Sequence, residues 1–322
     1  MSHPNRKRIG LAGLALAAVA ALAVSLGVPA GASSNNSAVA RYNDKIADYG
    51  VCRGTDPSCY NEWQTVFRND GQWRVLVFTA TGVSRHAHLG PLLGPGMNPQ
   101  LTAANAAQNA VIQWGQEFGF SVDWTEDVTQ LTPARLRTYD SVVFLSNSRT
   151  ILDDAAQTAL MQYVRSGGGF VGIHNTLGAM YHWPWFQGLL GGTHFYDHGP
   201  HQDGKVRVLN NTDVSTRNLP RSFDFKDEWY NLEPFPSYVR FLAAVEEKTM
   251  LRGTQGSGGH PGHGDLHPVT WCQYYDGGRS WVTSLGHDNA AWNDTPLVGD
   301  TFFKEHVVNG ILSTMGAKPF CR

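Results

Sequence analysis

A chain of 322 residues is long enough for one large or two small domains, and 42% hydrophobic against 16% charged residues suits a globular protein with a sizeable core. The 25 basic and 27 acidic residues nearly balance, and no basic run follows the N-terminus, which argues against nucleic acid as a partner. Ten Trp, eleven Tyr and fifteen Phe are enough flat faces to line a sugar site, although most such rings belong in a core.

The N-terminus reads as a bacterial secretory signal peptide over residues 1–32. Arg6-Lys7-Arg8 is a charged start, Leu11 to Val28 is apolar, and Ala30-Gly31-Ala32 is a small-residue cleavage site. The apolar run is about long enough to span a bilayer, but the polar exit at Ser33-Ser34 favours cleavage. The expectation is therefore a secreted protein with no stable membrane span after cleavage. Export makes the four cysteines disulfide candidates. Cys52 and Cys59 bracket a turn-rich segment; of three connectivities, Cys52–Cys59 with Cys272–Cys321 is preferred. None has the spacing of a zinc-thiolate site.

Residues 33–70 read as an N-terminal extension, and 71–318 as the main domain. Trp73 to Ala80 is a first strand. Val83 to Gln100 is a long loop carrying Ser84-Arg85-His86-Ala87-His88, and long loops at strand ends are a usual home for function. Leu101 to Phe118 is a helix with an apolar stripe of Ala107, Val111, Trp114 and Phe118. Phe120 to Trp124 is a second strand, Thr132-Pro133 starts a short helix, and Ser141 to Ser146 is a third strand. Asp153 or Asp154 caps a helix that buries Ala156, Leu160 and Val164.

Gly167-Gly168-Gly169 ends that helix, and Phe170, Val171 and Ile173 suit a strand buried on both faces. Gly172 would admit another backbone or a ligand, and His174 stands at the strand's carboxyl end, where open parallel sheets bind ligands. These glycines precede a strand, whereas a dinucleotide fingerprint follows one. The alternation predicts a flavodoxin-like, doubly wound, mostly parallel α/β sheet, with an added antiparallel hairpin.

Beyond His174 the pattern changes. Tyr181 to Phe186 is dense in aromatics and enters a short helix, and His194, His198 and His201 fall close together. Lys205 to Leu209 and Tyr238 to Val245 are strands. Gly253 to Gly264 is a Gly/His loop expected to be mobile, with His260 and His263 solvated. His267 to Tyr275 and Ser280 to Leu285 form a hairpin turning at Asp276-Gly277-Gly278. Phe302 to Met315 is a final amphipathic helix.

Seven segments in order carry a resemblance: Arg85-His86, Gly167 to His174, Tyr181 to Trp185, His198-Gly199-Pro200, Asp227 to Tyr230, His267 to Trp271, and Leu285 to His287. Together they resemble the ThuA-like (trehalose utilisation) family over about residues 73–316. The resemblance implies a fold similar to class I glutamine amidotransferases and a link to carbohydrate metabolism. Those amidotransferases carry a nucleophilic Cys on the turn where this chain has His174-Asn175, so the thiol mechanism is absent.

His86, His174, His198 and His287 end separate predicted elements and could converge above the sheet. Three imidazoles with an open position would suit a divalent metal such as Zn; without metal, imidazole serves as acid or base near neutral pH. Asp227 and Glu228 are adjacent, so within a strand they face opposite ways and only one enters the site. Asp227 is favoured for acid/base work, with Glu228 of similar weight, and Asp288 or Asp197 is a partner carboxylate. Arg85, Asn175, Tyr181, Trp183, Trp229 and His198 are the expected sugar-binding residues, with His194 and His201 behind them or at the surface. The leading expectation is a secreted hydrolase or isomerase acting on a sugar, glycoside or keto-sugar. The alternative is a non-catalytic glycan-binding or cell-envelope module. Oligomeric state is open.

Overall fold

The computed structural model describes residues 50–63, 70–293 and 300–322. The expected leader, and the extension outside 50–63, lie beyond the described residues. In chain order the elements are β1 (Arg53–Gly54), β2 (Trp73–Phe78), α1 (Ala106–Phe118), β3 (Phe120–Thr125), α2 (Pro133–Leu136), β4 (Ser141–Leu145), α3 (Asp154–Arg165), β5 (Gly169–Ile173), α4 (Pro184–Leu189), β6 (Phe195–His198), β7 (Gln202–Val208), β8 (Ser222–Asp227), β9 (Tyr230–Leu232), β10 (Arg240–Glu246), β11 (His267–Tyr275), β12 (Gly278–Thr283), α5 (Asn289–Trp292) and α6 (Asp300–Met315).

The main sheet runs β3-β2-β4-β5-β12-β11-β10-β7-β8, with β1 paired to β11. From β3 to β12 the pairs are parallel. Successive residues of β2, β4 and β5 serve two cores, which makes these three strands largely apolar. Val75, Val77, Val143 and Val171 pack with Trp114 of α1 and Val307 and Ile311 of α6. Leu76, Phe78, Val142, Phe144 and Phe170 pack with Leu160 of α3 and Phe186 of α4. This is the doubly wound, flavodoxin-like arrangement expected.

The antiparallel part is larger than a hairpin. β12 itself joins the parallel set, and β11, β10, β7 and β8 extend the sheet antiparallel. β6 and β9 form a separate two-stranded sheet. The last helix is not one-sided: from His306 to Met315 it is buried. Gly172 serves packing rather than a ligand, since a Cβ there would meet Phe170 at 3.2 Å and Leu190 at 3.3 Å.

Helix ends follow the sequence signals. The side chains of Thr132 and Asp153 cap α2 and α3, with Pro133 in the first turn of α2. Cys52 pairs with Cys59, and Cys272 with Cys321. Among the described residues no helix is long and apolar enough to cross a membrane.

Candidate active site

The parallel strands end at one edge of the sheet, and the loops leaving them converge. The chain leaves β5 with His174 in a left-handed backbone conformation (φ 51°), rare for a residue bearing a Cβ. The His174 ring is fully buried. Its Nδ1 lies 2.7 Å from the Ser284 carbonyl, which can only accept, so Nδ1 carries the proton. Nε2 is thereby a lone pair. It accepts from the Tyr230 hydroxyl at 2.9 Å and stands 3.1 Å from His86 Nε2. Burial and the neighbouring His86 and His287 rings hold His174 well below the ordinary histidine pKa.

His86 comes from the long loop after β2, which is held by Arg85. The guanidinium donates to the carbonyls of Gly90, Leu89 and Pro91 and to Glu126 at 2.7 Å. Arg85 is therefore committed to its own loop and is a positioning residue, not a free sugar-binding group. His88 fixes the same loop from beneath, donating from Nδ1 to the His287 carbonyl and accepting from Ser146 Oγ. Its burial lowers its pKa to about 3.

Glu228 and Asp227 take different roles from those favoured in sequence. Strand β8 stops at Asp227 and the chain passes to β9 at Tyr230, so strand alternation does not govern Glu228. Glu228 enters the cluster: its Oε2 is 3.1 Å from His287 Nδ1, 3.9 Å from His174 Nε2 and 4.0 Å from His86 Nε2. Its other oxygen is 3.6 Å from His198 Nε2. Burial alone would raise its pKa, but the surrounding histidines bring it far below the usual carboxylate range. Burial likewise opposes protonation of His287, yet the Glu228 and Asp227 charges outweigh it and raise its pKa. Asp227 is wholly buried behind them and accepts from the backbone N–H of Gly286, His287 and Glu228. Burial pushes its pKa up to about 7 against those donors. Asp227 thus ties the loop after β12 to the end of β8.

An open cavity of about 550 Å³ lies over the cluster, lined by Ser84, Arg85, His86, His201, His287 and Asp288 among others. His201 Nε2 is 3.6 Å from Asp288 Oδ2 at this rim. The expected aromatic platform does not line the cavity. Trp229 is core, its indole donating to Gln202 O and its ring against Gly204. Trp183 stacks on Trp185 and Phe186. The Tyr181 hydroxyl donates to Phe195 O, its ring under Arg149 and beside His194. Asn175 packs against Gly178. His198 sits beside the cluster through Glu228, and Asp197 is buried, accepting from Asn231.

Tyr230, His88 and His201 had no leading role in the sequence reading. Tyr230 closes the Asp227-Glu228-Trp229-Tyr230 motif, and His88 shares a loop with His86, so adjacency was the available signal. The Gly/His loop 253–264 is largely exposed, but His263 within it is not solvated as expected. His263 Nε2 accepts from the Leu232 N–H, and burial drives the His263 pKa down to about 2.

Fold and site together define a flavodoxin-like α/β protein with a His/Glu cluster at the carboxyl ends of its parallel strands. The sequence pattern of the ThuA family, described as trehalose utilisation, matches residues 96–312, and the chain belongs to that family. Similar solved structures include a ThuA-like protein from Bacteroides uniformis, 24% identical, covering 75% of this chain and 91% of that one with a TM-score of 0.57. Another, from Parabacteroides merdae, is 16% identical and covers 77% and 91%, with a TM-score of 0.56. No curated protein matches the chain in sequence.

Proposed function

We propose that this chain is an exported enzyme of carbohydrate metabolism that isomerises or hydrolyses a sugar, glycoside or keto-sugar at the His86–His174–His287–Glu228 cluster. One observation carries the reading: three imidazoles and an ionised carboxylate meet at the strand ends beneath an open polar cavity. Family membership supports the sugar class, and the two disulfides support export.

The roles follow from the environments. His86 and His287 reach the cavity wall and exchange protons with substrate. Glu228 holds negative charge against His287 and stabilises its protonated form. His174 stays neutral, with Tyr230 donating to it. Glu228 stands among the rings, while Asp227 is buried behind them, 4.0 Å from His174 Nδ1, and Asp288 lies at the cavity rim; a glycosidase normally needs two carboxyls facing one bond across the site. That weights the reading toward proton transfer by imidazole over paired-carboxylate hydrolysis.

The test is a panel of disaccharides, aryl glycosides and their oxidised keto forms, followed by NMR and mass spectrometry. Turnover by the wild type, lost in Glu228→Gln, is the expected result. Glycan binding without turnover, equal in wild type and Glu228→Gln, would make this a binding module and overturn the proposal.

A further inference from the structure

Hydrogen bonding alone leaves the cluster incompletely explained. His287 Nδ1 is buried and has no hydrogen-bond partner, although Glu228 Oε2 lies only 3.1 Å away. His174 Nε2 and His86 Nε2 face each other at 3.1 Å; the first carries a lone pair because Nδ1 donates to Ser284, and an ion bound there would displace the Tyr230 hydroxyl proton that now points to it. One donor atom from each of His86, His174, His287 and Glu228 lies within 4.8 Å of the others.

These separations have a simple geometric meaning. With metal–ligand bonds of about 2.1 Å, ligand atoms stand roughly 3.4 Å apart around a tetrahedral ion, and about 3.0 or 4.2 Å apart around an octahedral one. Four of the six separations, at 3.1, 3.1, 3.9 and 4.0 Å, fall in that range, and with all six within 4.8 Å a small inward movement would complete the set. The surroundings also match what a metal centre needs. The outer nitrogen of His174 donates to a backbone carbonyl, the arrangement that fixes tautomer and ring plane in metal-ligating histidines. Asp227 anchors the backbone of His287 through its N–H.

We propose that His86, His174, His287 and Glu228 hold one divalent transition-metal ion, with a coordination position left open toward the cavity. Three imidazoles and one carboxylate suit Zn, Ni, Fe or Mn, and exclude none of these by softness. Ion binding stands independently of the proposed function; the use of the open position to polarise a sugar carbonyl or hydroxyl rests on that reading.

The experiment is equilibrium dialysis of the chelator-stripped full chain against Zn(II), Ni(II) and Mn(II), with metal counted by elemental analysis and no sugar present. Co(II) absorption serves as the optical readout. One ion per chain is expected for at least one metal. Glu228→Gln, nearly isosteric, should weaken binding at least about 100-fold. His174→Ala should do the same, with folding checked by circular dichroism. His263→Ala, outside the cluster, should keep full stoichiometry. Absence of stoichiometric binding for every ion, or binding indifferent to Glu228→Gln, overturns the metal centre. Sugar turnover that survives in protein shown to be metal-free overturns the use of the ion to polarise the sugar, while leaving both ion binding and the acid–base reading intact. Stoichiometric, Glu228-dependent binding without turnover on any sugar supports the metal centre and counts against the enzyme reading.

Discussion

Among the described residues, the histidines around His174 and those around His267 form two partly buried clusters, and they differ in what their ring nitrogens meet. In the cluster formed by His260, His263 and His267 with Glu247, each ring has at least one nitrogen engaged by the protein. His267 faces Glu247 and the Tyr230 carbonyl, His263 accepts from Leu232, and His260 accepts from Gly262. In the cluster at the strand ends, only His174 has its outer nitrogen tied to the backbone. Its inner nitrogen, with those of His86 and His287, converges on Glu228 below an open cavity. The first arrangement is a hydrogen-bond scaffold; the second leaves donor capacity for something outside the chain. Burial and residue type are alike in both, so neither distinguishes structure from chemistry. The accounting of lone pairs does.

The sharpest break of that comparison is Glu228→Gln. It keeps the shape and removes the charge that His287 and His86 face. Turnover should fall by about 10²–10⁴, the contribution of a positioned acid–base group. Kinetics on any sugar the wild type processes would check this, and unchanged kcat/KM would return the strand-end cluster to the status of the other one.

Arg85→Met tests how the site is held. The substitution removes the cation paired with the largely buried Glu126 and the donor to the Gly90 carbonyl, while Thr79, Leu93 and Asn105 still serve Glu126 and the Leu89 and Pro91 carbonyls. Breaking a largely buried pair from one side costs about 3 kcal/mol. Urea denaturation should show that loss, together with weakened activity as His86 moves. A stable variant with full activity would show that the loop is positioned by other contacts.

Much of the fold was legible because β2, β4 and β5 are apolar on both faces and the helices carry caps at the expected places, such as Asp153 and Thr132-Pro133. The strands of the antiparallel extension were legible too, but their partners were not. Period-two patterning says which face a residue takes and is silent about which strand lies alongside. At the site, His174, His86 and His287 were visible as polar ends of apolar runs. The exchange of roles between Asp227 and Glu228 was hidden, because it depends on where β8 stops, and ends are the least readable part of a strand. The reading of His263 as solvated in the 253–264 loop failed for a related reason. The loop's glycines suggest freedom, yet at Gly256 the missing side chain lets the backbone lie directly against His198. Aromatic richness is no guide to a platform here either: Trp229 is buried with its indole donating to Gln202, and the partly buried Trp183 stacks on Trp185 and Phe186.

A further prediction addresses the engaged cluster. His263→Ala leaves the Leu232 N–H without its acceptor in a buried setting. The cost should be about 1–3 kcal/mol of stability. Turnover and metal stoichiometry, measured well below the melting temperature, should not change. A loss of turnover out of proportion to the lost stability would mean that the two clusters act as one.

His263→Gln has the smallest expected effect at neutral pH and separates hydrogen bonding from titration. Its amide oxygen can replace the imidazole acceptor, so stability at pH 7.5 should stay within about 1 kcal/mol of wild type. The difference should emerge on acidification. The folded protein holds the His263 pKa down at about 2, against 6.5 for the free side chain. Between those values the unfolded chain binds a proton that the folded chain refuses, so stability falls as pH drops below about 6.5. Glutamine has no proton to take up, and the variant should therefore lose stability less steeply from pH 6.5 downward. Urea midpoints at several pH values would show the two curves converging or crossing on the acid side. Parallel curves would mean that the His263 ring is protonated with little cost in the folded state, and that its contact with Leu232 does not depend on a neutral imidazole.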